Sequence, residues 1–282
     1  MPWVRIRCSY KPYCPSEIAV KRNTGFTLVE LLVSLTVFLL VMAGVSTFYV
    51  TQSQVRLSEQ LGLTMDDNLR LAAETVTFTL RNTGYGAPTG NFASWIPWVA
   101  ITANPMITAG ADAATPDTVS IAACTSAPVA RLSAGAAVNA TSLTLDSAAG
   151  LNATNKRLIY INDNELALIT SVSGNTVNID TNPTVAGPQG VGRAYAISTP
   201  ICRVDVITYS VDTTAMKLME NDNQGAGAQA VMDGVINLKI VTDTTGTHPK
   251  YQVTITAKTS QTDPMTAAFK TRSIRSTAST RN

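Results

Sequence analysis

The chain has 282 residues, of which 45% are apolar and 14% are charged, and its formal net charge is +2. The length allows one or two domains, and the apolar content excludes an intrinsically disordered chain. Residues 1–25 hold five basic side chains and one acidic side chain, so the rest has 21 − 5 = 16 basic and 19 − 1 = 18 acidic side chains, a charge near −2. This balance argues against a dense basic face for binding DNA.

The first predicted element is a membrane helix at residues 26–50. This segment contains one charged residue and no proline, and as a helix it would span about 37 Å, enough for a bilayer core. Lys21 and Arg22 directly precede it, and by the positive-inside rule they keep the N-terminus in the cytoplasm. We therefore expect one crossing of the inner membrane, with the rest of the chain outside the cytoplasm.

The single charge in this segment belongs to Glu30. A carboxylate inside a membrane span is costly and is a functional candidate by default. Cleavage between Gly25 and Phe26 would create an α-amino group four residues from Glu30, and the carboxylate of a neighbouring copy could come equally near. The alternatives are a signal anchor with a stray glutamate, or a secretory signal peptide, which fits poorly because no A-x-A site ends the long apolar run.

These residues resemble the class III signal of type IV prepilins, through the run Lys21-Arg22-Asn23-Thr24-Gly25-Phe26-Thr27-Leu28-Val29-Glu30. The resemblance implies that a membrane prepilin peptidase cuts after Gly25 and methylates Phe26. It also implies that Glu30 acts in assembly by neutralising the N-terminus of a neighbouring subunit. Residues 1–25 are then a leader peptide, of which 1–19 are expected to be a mis-called start, with Val20 as the true first residue.

The helix is expected to continue beyond the membrane as an amphipathic helix. Asn82-Thr83-Gly84 is a typical stop signal, which places the whole helix within residues 26–83. Its apolar residues recur at spacings of three and four, the pattern of one helical face: Leu61, Met65, Leu69, Ala72, Val76 and Leu80.

Residues 84–282 are predicted to form a β-rich head. Short β-branched runs alternate with turn residues and no helix-length periodic segment interrupts them, so antiparallel pairing is expected. The predicted fold class is therefore α+β, with a long N-terminal helix packed on an antiparallel β-rich globular head. Residues 131–199 are further expected to form an inserted β subdomain. The predicted strands are Asp117–Ala122, Arg157–Asn162, Glu165–Val172, Thr176–Asp180, Ala194–Ser198, Val204–Val211, Val235–Val241, Tyr251–Ala257 and Phe269–Ser276.

The four cysteines fall into two pairs. Cys8 and Cys14 precede the membrane segment and would face the reducing cytoplasm, whereas Cys124 and Cys202 would lie in the oxidising compartment, where a disulfide persists. A bridge between them would close a loop of 202 − 124 = 78 residues and contribute on the order of 4 kcal/mol by loop entropy. Two separate buried thiols are the alternative.

We find no catalytic constellation, and we expect no enzyme activity, cofactor or metal. His248 is the single histidine, and a solvated turn residue before Pro249 explains it. The runs at 162–165 and 220–223 are rich in oxygen ligands but lack the spacing of an EF-hand, so polar hairpin turns are expected.

Several patterns outside the leader resemble PilW-type minor pilins: residues 80–86, 206–212, 217–220, 231–235 and the ending 271–282. The resemblance implies a structural subunit that primes pilus assembly or acts at the tip, with other pilins and the prepilin peptidase as partners. Before assembly it would lie in the inner membrane, and afterwards in the extracellular pilus. The alternatives are a pseudopilin of type II secretion and a tip adhesin or DNA-binding protein.

Overall fold

The computed structural model describes residues 27–84, 95, 101–124, 127–245 and 249–280. These residues form helix α1 (Leu28–Arg81) followed by antiparallel strands, so the predicted α+β fold is confirmed. In chain order the strands are β1 (Met106–Thr108), β2 (Thr118–Ala123), β3 (Ala130–Arg131), β4 (Ser142–Thr144), β5 (Leu158–Ile161), β6 (Glu165–Ser173), β7 (Thr176–Asp180), β8 (Pro200–Arg203), β9 (Asp205–Asp212), β10 (Lys217–Asn221), β11 (Gln229–Asp233), β12 (Val235–Asp243), β13 (Lys250–Lys258) and β14 (Thr271–Ser279).

The chain divides into two compact units, residues 1–54 and residues 55–282, and helix α1 contributes residues to both. In the first unit, the described helix residues up to Val50 are all exposed. In the second unit, the predicted apolar stripe is buried from Met65 to Leu80, and Leu61 is half-buried. The helix ends at Arg81, and Gly84 has a φ of 84°, a left-handed conformation that glycine adopts without strain. The predicted stop signal is therefore confirmed.

The helix stripe packs on two sheets that share one apolar core. One sheet has the order β1-β2-β9-β10-β11, and the other has the order β12-β13-β14. The hydroxyls of Thr79 and Tyr209 lie 3.0 Å apart in this core. Burying one leucine side chain of this kind contributes roughly 1.5–3 kcal/mol, so the stripe alone anchors the helix firmly. The buried members from the strands include Val119, Ile121, Tyr209, Leu218, Leu238, Val253 and Ile255.

Residues 130–203 contain a third sheet of six strands in the order β3-β8-β5-β6-β7-β4. Leu132 and Leu145 form an antiparallel bridge, and the Ser133 amide donates to the Thr144 carbonyl at 2.9 Å. The first and last strands therefore meet, and the sheet closes on itself around its own apolar cluster. Residues 55–282 form one compact unit, so an independently folding subdomain at 131–199 stays a prediction.

A disulfide joins the two points where the chain enters and leaves this closed sheet. Cys124 directly follows β2 and Cys202 lies in β8, with their Cα atoms 6.0 Å apart. Beside it, Arg203 forms an ion pair with Asp205 at 2.6 Å and donates to the Gly150 carbonyl at 3.2 Å. A third apolar cluster contains residues of β2 and β9 together with residues of β5 and β6. The closed sheet is thus fixed to the helix-bearing sheet by covalent, polar and apolar contacts.

One predicted strand, Ala194–Ser198, is wrong. This segment forms a single bridge, between Tyr195 and Ala136, and no strand. Ser198 has a φ of 67°, which turns the backbone out of the extended conformation. A short apolar run suggested a strand here, but the local backbone turn prevents a continuous ladder.

Asp117 is a buried carboxylate that ties β12 to the start of β2. Its Oδ1 accepts hydrogen bonds from the Gly110 amide and from Lys239 Nζ, both at 2.9 Å, and its Oδ2 accepts one from the Ile240 amide at 2.7 Å. Burial acts to raise the pKa of Asp117, but these bonds outweigh it and hold the pKa below the ordinary value. The carboxylate is therefore stabilised in its charged form.

We expect Asp117→Asn to lower the free energy of unfolding by roughly 3 kcal/mol at neutral pH, because it leaves Lys239 beside a neutral partner. The folded pKa is depressed, so the contribution is complete above the unfolded value of about 3.9 and is lost as the pH falls through the folded pKa. Urea unfolding of the full chain in detergent should show a gap between wild type and variant at neutral pH that narrows below about pH 4. The control Asp67→Asn removes an exposed carboxylate with no hydrogen bond or ion pair among the described residues, and a similar loss in that variant would contradict the assignment.

Candidate assembly site at the start of the helix

The predicted processing residues lie at the very start of the described chain or before it. Lys21, Arg22, Gly25 and Phe26 lie outside the described residues, whereas Glu30 lies in the first turn of α1. His248 and the leader cysteines also lie outside the described residues. The geometry of the site is therefore the geometry around Glu30.

Glu30 forms a reciprocal cap with Thr27. The Thr27 amide and the Thr27 hydroxyl both donate to Glu30 Oε2 at 3.0 Å, and the Glu30 amide donates to the Thr27 hydroxyl at 3.3 Å. Thr27 directly precedes the helix, and Glu30 is its third residue. This is the capping-box arrangement, in which a threonine and a glutamate three residues later satisfy otherwise unpaired amides. The Thr-x-x-Glu pattern at residues 27–30 is the sequence signal of this cap.

The cap leaves part of the carboxylate free to bind. A carboxylate has about four lone-pair sites, and both Thr27 donors occupy Oε2. Among the described residues, Oε1 has no hydrogen-bond partner. One oxygen is therefore held by the helix start, and the side chain is exposed, so capping and binding to an amine are compatible.

Three hydroxyls of the apolar segment, those of Ser34, Thr36 and Thr47, donate to carbonyls of the preceding helical turn. Ser34 donates to the Leu31 carbonyl at 2.9 Å, and Thr36 donates to the Val33 carbonyl at 2.8 Å. Such bonds to the preceding turn remove the cost of placing a hydroxyl in lipid. Within residues 28–50 Glu30 is the one group with a charge to neutralise.

Length and composition alone make α1 a candidate membrane span. Its most apolar 18-residue window has a mean hydropathy of 2.5, and none of that window is buried. The apolar side chains of residues 28–50 are therefore left without a covering surface in the isolated chain. A bilayer or a bundle of similar helices would cover them.

Oxygen and nitrogen atoms of the oxygen-rich turns form hydrogen bonds to other parts of the head. Glu165 accepts from the Gly192 amide at 2.7 Å and from the Tyr195 hydroxyl at 2.9 Å. Asn223 donates to the Val206 carbonyl at 2.9 Å. In the described part of the chain, no cluster of three His, Cys, Asp or Glu side chains could hold a metal ion.

The N-terminal segment matches a family model, the prokaryotic N-terminal methylation motif, over residues 20–46. No curated protein and no solved structure matches the chain. The match covers Lys21, Arg22, Gly25, Phe26 and Glu30 and supports a type IV pilin-like or pseudopilin-like structural protein rather than an enzyme. Together with the apolar helix, it supports anchoring in the inner membrane before assembly and processing by the prepilin peptidase.

Proposed function

We propose that this chain is a minor pilin of a type IV pilus, of the PilW type, which primes pilus assembly or acts at the pilus tip. The observation that carries the proposal is the methylation motif at residues 20–46 on an exposed apolar helix with one carboxylate, Glu30. A freely soluble protein would gain nothing from such a helix, since its apolar side chains would face water.

The mechanism follows from the charges at the helix start. Cleavage after Gly25 leaves a positively charged amine on Phe26, and methylation keeps that charge. When the helix leaves the membrane and enters a bundle, the Phe26 amine and the Glu30 carboxylate of a neighbour would both lose water. A buried charge is tolerated only when it is paired, so subunits in the correct register would be favoured over misaligned ones.

Secretion is the second candidate, because the same motif serves pilins and pseudopilins. A pseudopilin would use this helix to build a short fibre that drives secreted proteins outward. Deleting the gene separates the two functions: loss of surface pili and twitching motility supports the pilin, whereas a secretion defect with normal pili supports the pseudopilin.

A tip protein is the third candidate, motivated by the closed six-stranded sheet of residues 130–203. An adhesin or DNA-binding protein would present this sheet beyond the fibre. Binding of the purified full chain to host glycans or to duplex DNA, lost when the sheet is replaced by a short linker, would support this function.

The main experiment is to determine the N-terminus of the mature chain and its location. We expect mass spectrometry of the protein from sheared pili to give a first residue of N-methylated Phe26. The protein should stay in the membrane fraction with leader residues still attached before Phe26 when the peptidase gene is deleted. A mature chain that begins at another residue would refute the proposal.

A further inference from the structure

Strand β14 is an open and regular sheet edge. It pairs with β13 along all 9 of its residues, from Thr271 opposite Lys258 to Ser279 opposite Lys250, with no shift of register. It is the last strand of its sheet. In the described residues, no hydrogen bond outside the β13–β14 ladder uses the backbone of 271–279. An edge strand of this kind presents a row of unpaired amides and carbonyls to a further strand.

The other sheet edges of the described chain carry protection that β14 lacks. Strand β12 has a bulge between Val235 and Asn237, and Asp117 bonds to its outer side. Strand β1 has only 3 residues and β11 only 5, next to a bulge in β10. The six-stranded sheet closes on itself. Proteins use short strands, bulges, closure and charged edge residues to prevent unwanted pairing. Strand β14 lacks the first three, and the charges that it carries are all basic, so they disfavour a basic partner and leave the edge open to an acidic one.

The charges around this edge determine which sign of charge a partner strand should carry. Strands β13 and β14 together contain four basic residues and no acidic residue. Arg272 is paired with Asp66 of the helix, but Arg275 is exposed and has no ion-pair partner among the described residues. Two copies that paired β14 with β14 would bring like charges together, which is unfavourable. The strand therefore favours an acidic partner over a second copy of itself.

The alternation of side chains along β14 further specifies the residue pattern that a partner strand would need. Ile274 and Ala278 face the core with Ile255 and Tyr251, their partners in the ladder. Arg275 lies between them and points to the opposite face, because successive side chains alternate in a strand. A strand added to this edge would need apolar residues beside Ile274 and acidic residues beside Arg275.

We propose that β14 is an interaction edge that accepts, by β-strand addition, an extended segment with alternating apolar and acidic residues from a neighbouring subunit of the fibre. Main-chain hydrogen bonds would provide affinity and the alternating side chains would provide selectivity. The identification of the partner as a fibre subunit rests on the proposed function. The preference of β14 for an alternating apolar and acidic strand does not depend on that function.

The test uses the full chain in detergent and two synthetic nine-residue peptides. One peptide alternates valine with glutamate, and the matched peptide has lysine in place of glutamate. We expect the glutamate peptide to slow hydrogen exchange of the β14 amides by about tenfold or more, and the lysine peptide to leave it unchanged. Arg275→Glu should abolish the effect and Arg275→Lys should retain it. Unchanged exchange with both peptides, or equal slowing by both, would overturn the proposal.

The fibre provides the second measurement. In sheared pili the β14 amides should exchange about tenfold more slowly than in the detergent-solubilised protein. Exchange that stays equal in both states would rule out a fibre neighbour as the partner. Because the peptide assay needs no fibre, its failure would be distinct from failure of the proposed function, which recovery of the protein in pili decides.

Discussion

Glu30→Ala is expected to lower incorporation of the protein into pili by more than about tenfold, because the amine of a neighbouring subunit would then be buried without a partner. Cleavage after Gly25 should be largely unaffected, since the peptidase acts before assembly. The measurement compares the protein in sheared pili with the processed protein in membranes by quantitative immunoblotting. Processing thus serves as an internal control for expression and membrane insertion.

The capping box makes a second variant necessary. Glu30 supports the helix start through Thr27, so Glu30→Ala removes both the cap and the charge. Thr27→Ala removes the threonine hydroxyl from the cap and keeps the charge, and Glu30→Gln keeps an oxygen acceptor and removes the charge. If pairing to an amine is the function, Glu30→Gln should resemble Glu30→Ala, and Thr27→Ala should assemble nearly as well as wild type. Equal defects in Thr27→Ala and Glu30→Ala would show that capping is sufficient to explain the role of Glu30.

The helix could be predicted from sequence because its signals are local. An uninterrupted apolar run, a stripe with spacings of three and four, and a terminal Asn-Thr-Gly each act within a few residues. The stripe from Met65 to Leu80 is buried as expected, and α1 ends one residue before Asn82. The strand Thr176–Asp180 was predicted with its observed bounds because glycine and asparagine turns delimit it.

The rest of the fold depends on long-range contacts, which cannot be recognised in a single sequence. The closure of the six-stranded sheet needs Leu132 to meet Leu145, and it depends on the registers of all the strands between them. Short strands such as Ala130–Arg131 carry too few residues for a periodic signal. Asp117 resembles any turn aspartate until Lys239 and Ile240 are placed beside it by a strand more than a hundred residues later. Long-range pairing of this kind limits prediction from one sequence.

The second large effect is expected from the disulfide. Replacing both Cys124 and Cys202 by serine should lower the free energy of unfolding by about 4 kcal/mol, the loop-closure entropy of a 78-residue loop. Replacing both avoids a free thiol that could form bonds between molecules. The measurement is urea unfolding of the mature chain in detergent, with and without a thiol reductant. Reductant should shift the wild-type midpoint to that of the double variant and leave the double variant unchanged.

The position of the disulfide predicts which strands lose protection from hydrogen exchange when it is removed. It joins the chain at the entry to and exit from residues 130–203, beside the Arg203–Asp205 ion pair and the apolar cluster shared with β2 and β9. Without it, hydrogen exchange should quicken most in β3 and β8, whereas the α1 residues from Met65 to Leu80 should change little. Replacing Cys8 and Cys14 by serine is the matched control, and it should have no effect once the leader is removed. If exchange quickened equally in the helix and in the closed sheet, the bridge would stabilise the whole head, and its location at the base of the sheet would have no special consequence.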